Sequence, residues 1–333
     1  MSKLLLLIAP GALLSAMVLG AQTPVGGPSL GFIFDAPGHS LRPILGIPGA
    51  AVFGDPLQAP APLSSAAFSL RQNVAVVNDG AWKVVGLSAT ATNTQMLPDG
   101  LPASARVSVS EGGASVAFYD SANSAMTVVN GLSSTSMAVS PVALDALPGA
   151  ITAMAVADDG SLLVTSSIPG GGEGLFWLGQ DGSTRQLATL QATASILLWN
   201  KGANALVVDR AANQVWKIQD PGGNAAIALL ASDADGVSGP VGAAMSVDGK
   251  QLWIANAGAH SVLGIDTTTR AAVSLNVSFD LTTLHPMADG QTFRLTRTGS
   301  GPVWFLDAAP GVDPRVVFIP AVQTATPAPE ATQ

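Results

Sequence analysis

The sequence predicts an all-β chain folded as a β-propeller, and three observations carry that expectation. Charged residues make up only 11% of the chain, while Gly (36) and Pro (23) are abundant. Amphipathic surface helices need a charged face, whereas short strands need turn residues between them. The second observation is a period. Gly112, Gly160, Gly202, Gly249 and Gly290 stand 48, 42, 47 and 41 residues apart, and Gln72-Asn73 holds the same place about 40 residues before Gly112. The third is that each period repeats one order of strands and turns, which is the mark of a propeller blade.

The elements of the unit follow in order. The first strand is small and apolar: SAAFSL (65–70), ARVSVS (105–110), ITAMAVA (151–157), ASILLWN (194–200), VGAAMSV (241–247) and LTTLHPMA (281–288). Small side chains suit a strand crowded against the ring axis. Next comes a turn of Asp, Gly or Asn, residues that tolerate positive φ. The second strand ends on a short polar side chain in four units, Asn78, Asp120, Asp209 and Asn256, placed to bond the backbone of the turn that follows. The third strand carries a recurring Trp at 82, 177, 216 and 304. A large flat ring in four equivalent places is expected to fill the wedge between twisted neighbouring sheets. A fourth apolar strand closes each unit.

Six full copies result, and a partial one precedes them. SLGFIFDAPGHSLRPILGIPGA (29–50) is similar to the last half of the final copy, GPVWFLDAAPGVDPRVVFIPA (301–321). A seven-bladed ring with an incomplete first blade is therefore favoured, with six blades as the alternative. The expected organisation is a partial blade over 29–59 and blades at about 60–100, 101–147, 148–191, 192–238, 239–279 and 280–321. Before them, MSK followed by LLLLIAPGALLSAMVLG reads as the charged and apolar regions of a signal peptide over 1–21, with a linker over 22–28. Cleavage would leave no membrane span and send the protein to the periplasm or beyond the cell. The last segment, 322–333, is rich in Pro, Thr and Ala and reads as a disordered tail.

Composition also excludes function classes. There is no cysteine, hence no disulfide, thiolate metal site or cysteine nucleophile. The net charge is -8, and the 14 Lys and Arg are not clustered, so the footprint of a nucleic-acid binder is missing. A monomer is expected.

Candidate functional residues lie in the loops between blades and on the inner strands. They are Asp99 (loop 98–104), Asp145 (loop 145–150), Asp233 and Asp235 (loop 232–240), Arg106, and His285, the one imidazole on an inner strand. His39 and His260 are scattered and lack metal-ligand spacing. The alternating carboxylates of DADG (233–236) suit calcium in part, but no later bidentate Glu completes a calcium loop. No catalytic residue, metal site or cofactor is assigned, and Ca²⁺ is the one ion kept as an alternative. PGGGEG (169–174) opens no helix, so it is not a phosphate loop and reads as a long, mobile hairpin. Asn276 to Ser278 matches a glycosylation acceptor within a strand.

One copy carries a family resemblance. In GPVGAAMSVDGKQLWIANAGAHSVLGIDTTTRAAVSL (239–275), Asp248-Gly249-Lys250, Trp253-Ile254-Ala255-Asn256 and Val262 through Asp266-Thr267 resemble the YVTN-type propeller repeat. DADGVSGPVG (233–242) is similar to the segment that opens NHL repeats. The resemblance covers about 37 residues of one blade. It implies a secreted bacterial propeller that binds a protein, peptide or glycan without catalysis. Lactonases and gluconolactonases are the enzymatic relatives it implies, and they need acids converging on the axis. Here the inner strands offer Ala, Ser, Val and Met instead.

Overall fold

The computed structural model describes residues 27–57, 59, 61–87, 93–134 and 136–321. The signal peptide, most of the linker and the tail read from the sequence lie outside them. Seven antiparallel sheets follow one another along the chain. Blade 1 has three strands, β1 (Ser29–Asp35), β2 (Ser40–Leu45) and β3 (Val52–Phe53). Blade 2 is β4 (Ser65–Phe68), β5 (Val74–Asn78), β6 (Trp82–Gly86) and β7 (Asn93–Met96). Blade 3 is β8 (Arg106–Val109), β9 (Ser115–Asp120), β10 (Ala125–Asn130) and β11 (Ala138–Val142). Blade 4 is β12 (Ile151–Val156), β13 (Leu162–Ser167), β14 (Glu173–Leu178) and β15 (Thr184–Leu190). Blade 5 is β16 (Thr193–Trp199), β17 (Asn204–Asp209), β18 (Gln214–Gln219) and β19 (Ala226–Ala231). Blade 6 is β20 (Pro240–Met245), β21 (Gln251–Asn256), β22 (Ser261–Asp266) and β23 (Ala272–Asn276). Blade 7 is β24 (His285–Pro286), β25 (Thr292–Arg294), β26 (Val303–Asp307) and β27 (Arg315–Ile319).

The blades close into a ring, a seven-bladed β-propeller. A blade is apolar on both faces and cannot bury either alone. Accordingly the core is divided into seven clusters, one at each seam between neighbouring blades. At the seam of blades 5 and 6, for example, Leu206 and Val208 pack against Ala243, Ile254 and Leu263. The seam that closes the ring packs Leu30 and Ile33 of blade 1 against Val303, Phe305 and Ile319 of blade 7.

The four repeated Trp sit on third strands, as their spacing predicts. Trp82 meets Phe118 of blade 3 edge-on at 5.0 Å, and Trp177 is buried against Ala205, Val207 and Ile218 of blade 5. Trp304 stacks on Phe279, in the connection leading out of blade 6, at 4.3 Å.

The polar ends of the second strands do more than the sequence suggests. Asn78, Asp120 and Asp209 accept N–H groups of the following turn, from Gly80, Ala122 and Ala212. Asp209 also accepts from Gln191 and Ala192 in the connection that leads into its blade. Asn256 bonds only backward, accepting from Ser238 and donating to Gly236. These side chains therefore lock the inter-blade connections as well as the turns.

Three local readings need correction. The positive φ of the blade 3 turn falls on Gly113 (73°), one residue past Gly112. PGGGEG is a short closed hairpin rather than a long one. Ile168 N–H donates to Gly172 O and Gly171 N–H to Ile168 O, with Gly170, Gly171 and Gly172 all at positive φ. Glu173 opens β14 instead of lying in the turn, and its carboxylate accepts the N–H of Thr193 at 2.8 Å.

Blade 1 lacks a particular strand. In blade 5 the second strand, through Ala205 and Val207, is the one that packs against the third and fourth strands of the blade before it. In blade 1 that role falls to β1, through Leu30 and Ile33. Asp35 ends β1 as Asp209 ends β17, and accepts the N–H of Gly38 in the next turn. The three strands of blade 1 thus take the second, third and fourth positions, and the innermost position is empty among the described residues. The likeness of residues 29–50 to 301–321 reflects a shared device: Asp35 pairs with Arg42 at 2.7 Å and Asp307 with Arg315 at 3.0 Å.

Candidate functional site

The ring has two faces. Connections between blades and the turns between second and third strands form the upper face. Turns between first and second strands form the lower face around the axis.

The lower mouth is a cavity of about 360 Å³. Its apolar wall comes from Leu70, Trp199, Met245, Val247, Pro286 and Met287, contributed by blades 2, 5, 6 and 7. Val247 is 78% exposed, which is unusual for a β-branched apolar side chain inside a concavity. Blade 3 supplies Glu111, whose carboxylate accepts from the guanidinium of Arg71 at 3.3 Å. It also accepts the backbone N–H of Lys201, in the turn of blade 5, at 2.9 Å. Asn200 and Lys201 both hold left-handed φ (53° and 57°). Such a pair of non-Gly residues is strained, and the strain sits where the carboxylate reaches past blade 4. Glu111 is thus spent on structure, while the side chain of Arg71 stays 60% exposed at the rim.

The residues singled out in the sequence lie elsewhere and are spread over several blades. Asp99 and Asp145 are exposed in the connections into blades 3 and 4. Asp99 lines a cleft of about 130 Å³ with Trp82 and Leu101. Asp233 and Asp235 lie in the 3-10 turn Asp233–Asp235. Asp235 accepts the N–H of Ser232 at 2.9 Å and is paired with Arg270, and Asp233 caps Ala234 N–H. Their carboxylates hold the connection in shape. Arg106, on β8, donates to Thr152 O at 2.5 Å and lies 6.0 Å from the centre of the Tyr119 ring. Among the described residues, no hydrogen bond or ion pair joins any of the six candidates to another.

His285 has an unexpected neighbour. It pairs across the ladder with Arg294, and Arg294 with Phe305. Burial, and then the positive charge of Arg294, lower the imidazole pKa to about 3, so His285 is neutral at physiological pH. Burial, and then Arg297, lower the Arg294 guanidinium to about 10. Arg294 Nε is buried without a hydrogen-bond partner. Both side chains keep some accessible surface despite their depth. The sequence gives no warning of this pair, because inner and second strands meet only through the hairpin register.

Neither the lower mouth nor Arg294 stands out in the sequence. The mouth is built from a few residues of each of five blades, and only the ring brings them together.

No family model matches the chain, and no curated protein matches it. Solved structures do. One is a functionally unknown protein from Desulfotomaculum acetoxidans, at TM-score 0.56 and 11% identity, over 88% of this chain and 100% of that one. Another is the β-propeller domain of Myceliophteria thermophila Cps50 (Swd1), at TM-score 0.51 and 13% identity, over 80% and 92%. A third is a catalytically inactive virginiamycin B lyase from Staphylococcus aureus with quinupristin, at TM-score 0.51 and 13% identity, over 78% and 86%. At these identities the likeness is one of fold, and a propeller fold serves many functions.

Proposed function

We propose that the chain is an exported, non-catalytic binding propeller that takes a peptide or protein segment at its lower axial mouth. The observation that carries this reading is the mouth itself: an apolar wall with Val247 exposed, rimmed by the free side of Arg71. That chemistry suits an apolar side chain flanked by a carboxylate. A glycan platform would call for several exposed rings, and Trp199 is the one aromatic residue in this wall. The charged and apolar regions at the N-terminus support export, and the YVTN-like pattern in blade 6 supports a place among secreted repeat propellers.

The test is selection from a displayed peptide library on the purified protein. Selected peptides should carry an apolar anchor near an acid and bind at least 10-fold more weakly to Val247→Glu and Arg71→Glu, each 1.4 kcal/mol being one decade. Both side chains are exposed, so circular dichroism should be unchanged. Peptides that bind both variants as tightly as the parent would refute the site.

A second reading, a lactonase-like or gluconolactonase-like hydrolase at the axis, draws on the neutral His285 beside Arg294. Turnover of a lactone panel that is abolished in His285→Ala would favour it. A rise of several degrees in melting temperature with calcium, reversed by a chelator, would add a metal to that reading.

A further inference from the structure

We propose that the empty innermost position of blade 1 is a binding site for a small organic carboxylate, with the guanidinium of Arg294 as its anchor. The site lies inside the ring and does not depend on the peptide reading of the lower mouth.

The position is open along its length and closed at its ends. Phe32 stands opposite Pro43, which has no N–H, so the two cannot exchange a pair of ladder bonds. Phe32 and Phe34 therefore turn their backbone groups away from β2, toward the missing neighbour. At the lower end Gln72, from the inner turn of blade 2, accepts the Phe32 N–H, and its amide nitrogen approaches Met287 Sδ of blade 7 at 3.7 Å. This side chain crosses beneath the position from one flanking blade to the other. At the upper end the Thr298 hydroxyl, from the connection between β25 and β26, donates to Phe34 O. Between these two closures Phe32 O and Phe34 N–H have no partner among the described residues. The interval from Phe32 to Phe34 covers about 10 Å of strand. A continuous strand entering here would displace both Gln72 and Thr298, whereas a small molecule would leave them in place.

The two walls differ in character. On the blade 7 side, Phe293 and Leu295 pack toward blade 6. Arg294, between them, points the other way, as do Met287 and Phe305, which pack with Leu30 and Ile33. His285 lies opposite Arg294 on that same side. On the blade 2 side, Ala66 and Phe68 of the inner strand pack with Phe32 and Phe34. Phe34, Ala66, Phe68, His285 and Arg294 are all only partly buried, as side chains beside a gap must be. One wall is therefore cationic and polar, and the other is apolar.

The charge on the first wall is uncompensated. Arg294 takes part in no ion pair among the described residues. Its Nε is sealed from solvent without a hydrogen-bond partner. The other charge that acts on it is a second cation, Arg297. Burial and Arg297 lower the guanidinium pKa only to about 10, so it keeps its proton at neutral pH. A half-buried cation calls for an anion. The planar guanidinium fork matches a carboxylate through two parallel hydrogen bonds. The neutral His285 ring and Phe34 N–H are further donors on the same gap. The apolar wall opposite suits the hydrocarbon body of the acid. A phosphate would bring about two charges to this one anchor and nothing to cover Ala66 and Phe68.

The test is a titration of the purified protein with hydrocinnamate at neutral pH, followed through the ring signals of labelled histidine. The His285 signal should shift and saturate below about 10 mM, while those of His39 and His260, in upper turns, stay still. The primary amide of the same acid should bind about 10-fold more weakly or worse, and so should the acid to Arg294→Gln. No saturable His285 shift, equal binding of acid and amide, or unchanged affinity in Arg294→Gln would each overturn the site. Arg294→Gln removes an unpaired half-buried charge and should fold. If it does not, the comparison of acid with amide in the parent protein decides. Inorganic phosphate binding as tightly as the acid would overturn the carboxylate assignment. The tripeptide Gly-Gly-Phe carries the same acid and ring at a chain end and should bind more weakly than hydrocinnamate. Tighter binding of the tripeptide would overturn the small-molecule source in favour of a peptide C-terminus.

Discussion

Blade 6 and blade 1 occupy equivalent places in one ring and are built by different means. Blade 6 carries its own instructions. Its inner turn has Gly249 at φ 72°, its second strand ends on Asn256, and its second, third and fourth strands pair in a regular ladder. Blade 1 relies on its neighbours. Gln72, Ala288 and Thr298, from blades 2 and 7, meet three backbone groups of the edge that its own inner strand would have covered. The turn of blade 2 shows the cost. Blades 3 to 7 place Gly113, Gly160, Gly202, Gly249 and Gly290 at positive φ, whereas blade 2 places Gln72 there at 52°. A glycine would relax the backbone and leave Phe32 N–H without a partner. The side chain was kept where the neighbouring blade needed it.

The comparison can be broken in four ways. The largest effect is expected in the complete blade. Ile254→Ala, at a fully buried position of the seam of blades 5 and 6, should lower the unfolding free energy by about 4 kcal/mol, and Ile33→Ala in blade 1 by about 2. A cavity beside an unfinished sheet collapses more readily. Equal losses in urea denaturation would mean that blade 1 is packed as tightly as blade 6. Next, Asp209→Ala strands three backbone N–H groups around a buried carboxylate, and about 3 kcal/mol should be lost. A loss below about 1 kcal/mol would show that the connections hold without that tie.

The third effect is a pH dependence confined to the closing seam. The folded His285 pKa lies near 3 and the ordinary value is 6.5. The unfolded chain therefore takes up a proton first as the pH falls. Stability is full above about pH 7 and is lost as the pH drops from 6.5 toward 3, by about 3 kcal/mol at pH 4.5. His285→Gln should remove that slope. Parallel pH profiles for the two proteins would place the acid sensitivity elsewhere. The smallest effect belongs to Gln72→Gly. The relieved backbone offsets part of the lost hydrogen bond, leaving a net loss of about 1 kcal/mol. A more stable variant would show that the Phe32 contact adds nothing.

The same contrast explains what the sequence discloses. The inner strands, the turn residues and the recurring Trp are local codes repeated about every 40 residues, so the all-β class and six full blades could be read from them, with seven favoured over six only through the partial copy. An incomplete first blade was also legible, because Ser29 to Ala50 stops short of a full unit. Its missing position was not, since Asp35 with Arg42 and Asp307 with Arg315 look alike while standing in different strand positions. The lower mouth stayed hidden because Arg71, Glu111 and Val247 are each ordinary turn residues. Asp233 and Asp235 drew attention as a ligand-like pair, yet their oxygens serve Ser232, Ala234 and Arg270. Alternating acids at the start of a 3-10 turn satisfy backbone donors as readily as they would bind an ion.

The carboxylate of Glu111 joins blade 3 to blade 5 and skips the blade between them. The seams on either side of blade 4 are therefore linked: parting one loads the other through the Glu111 hydrogen bond. Blades 3 to 5 should move as one stiff sector. The compliance of the ring is then concentrated on the opposite arc, where blade 1 is thinnest.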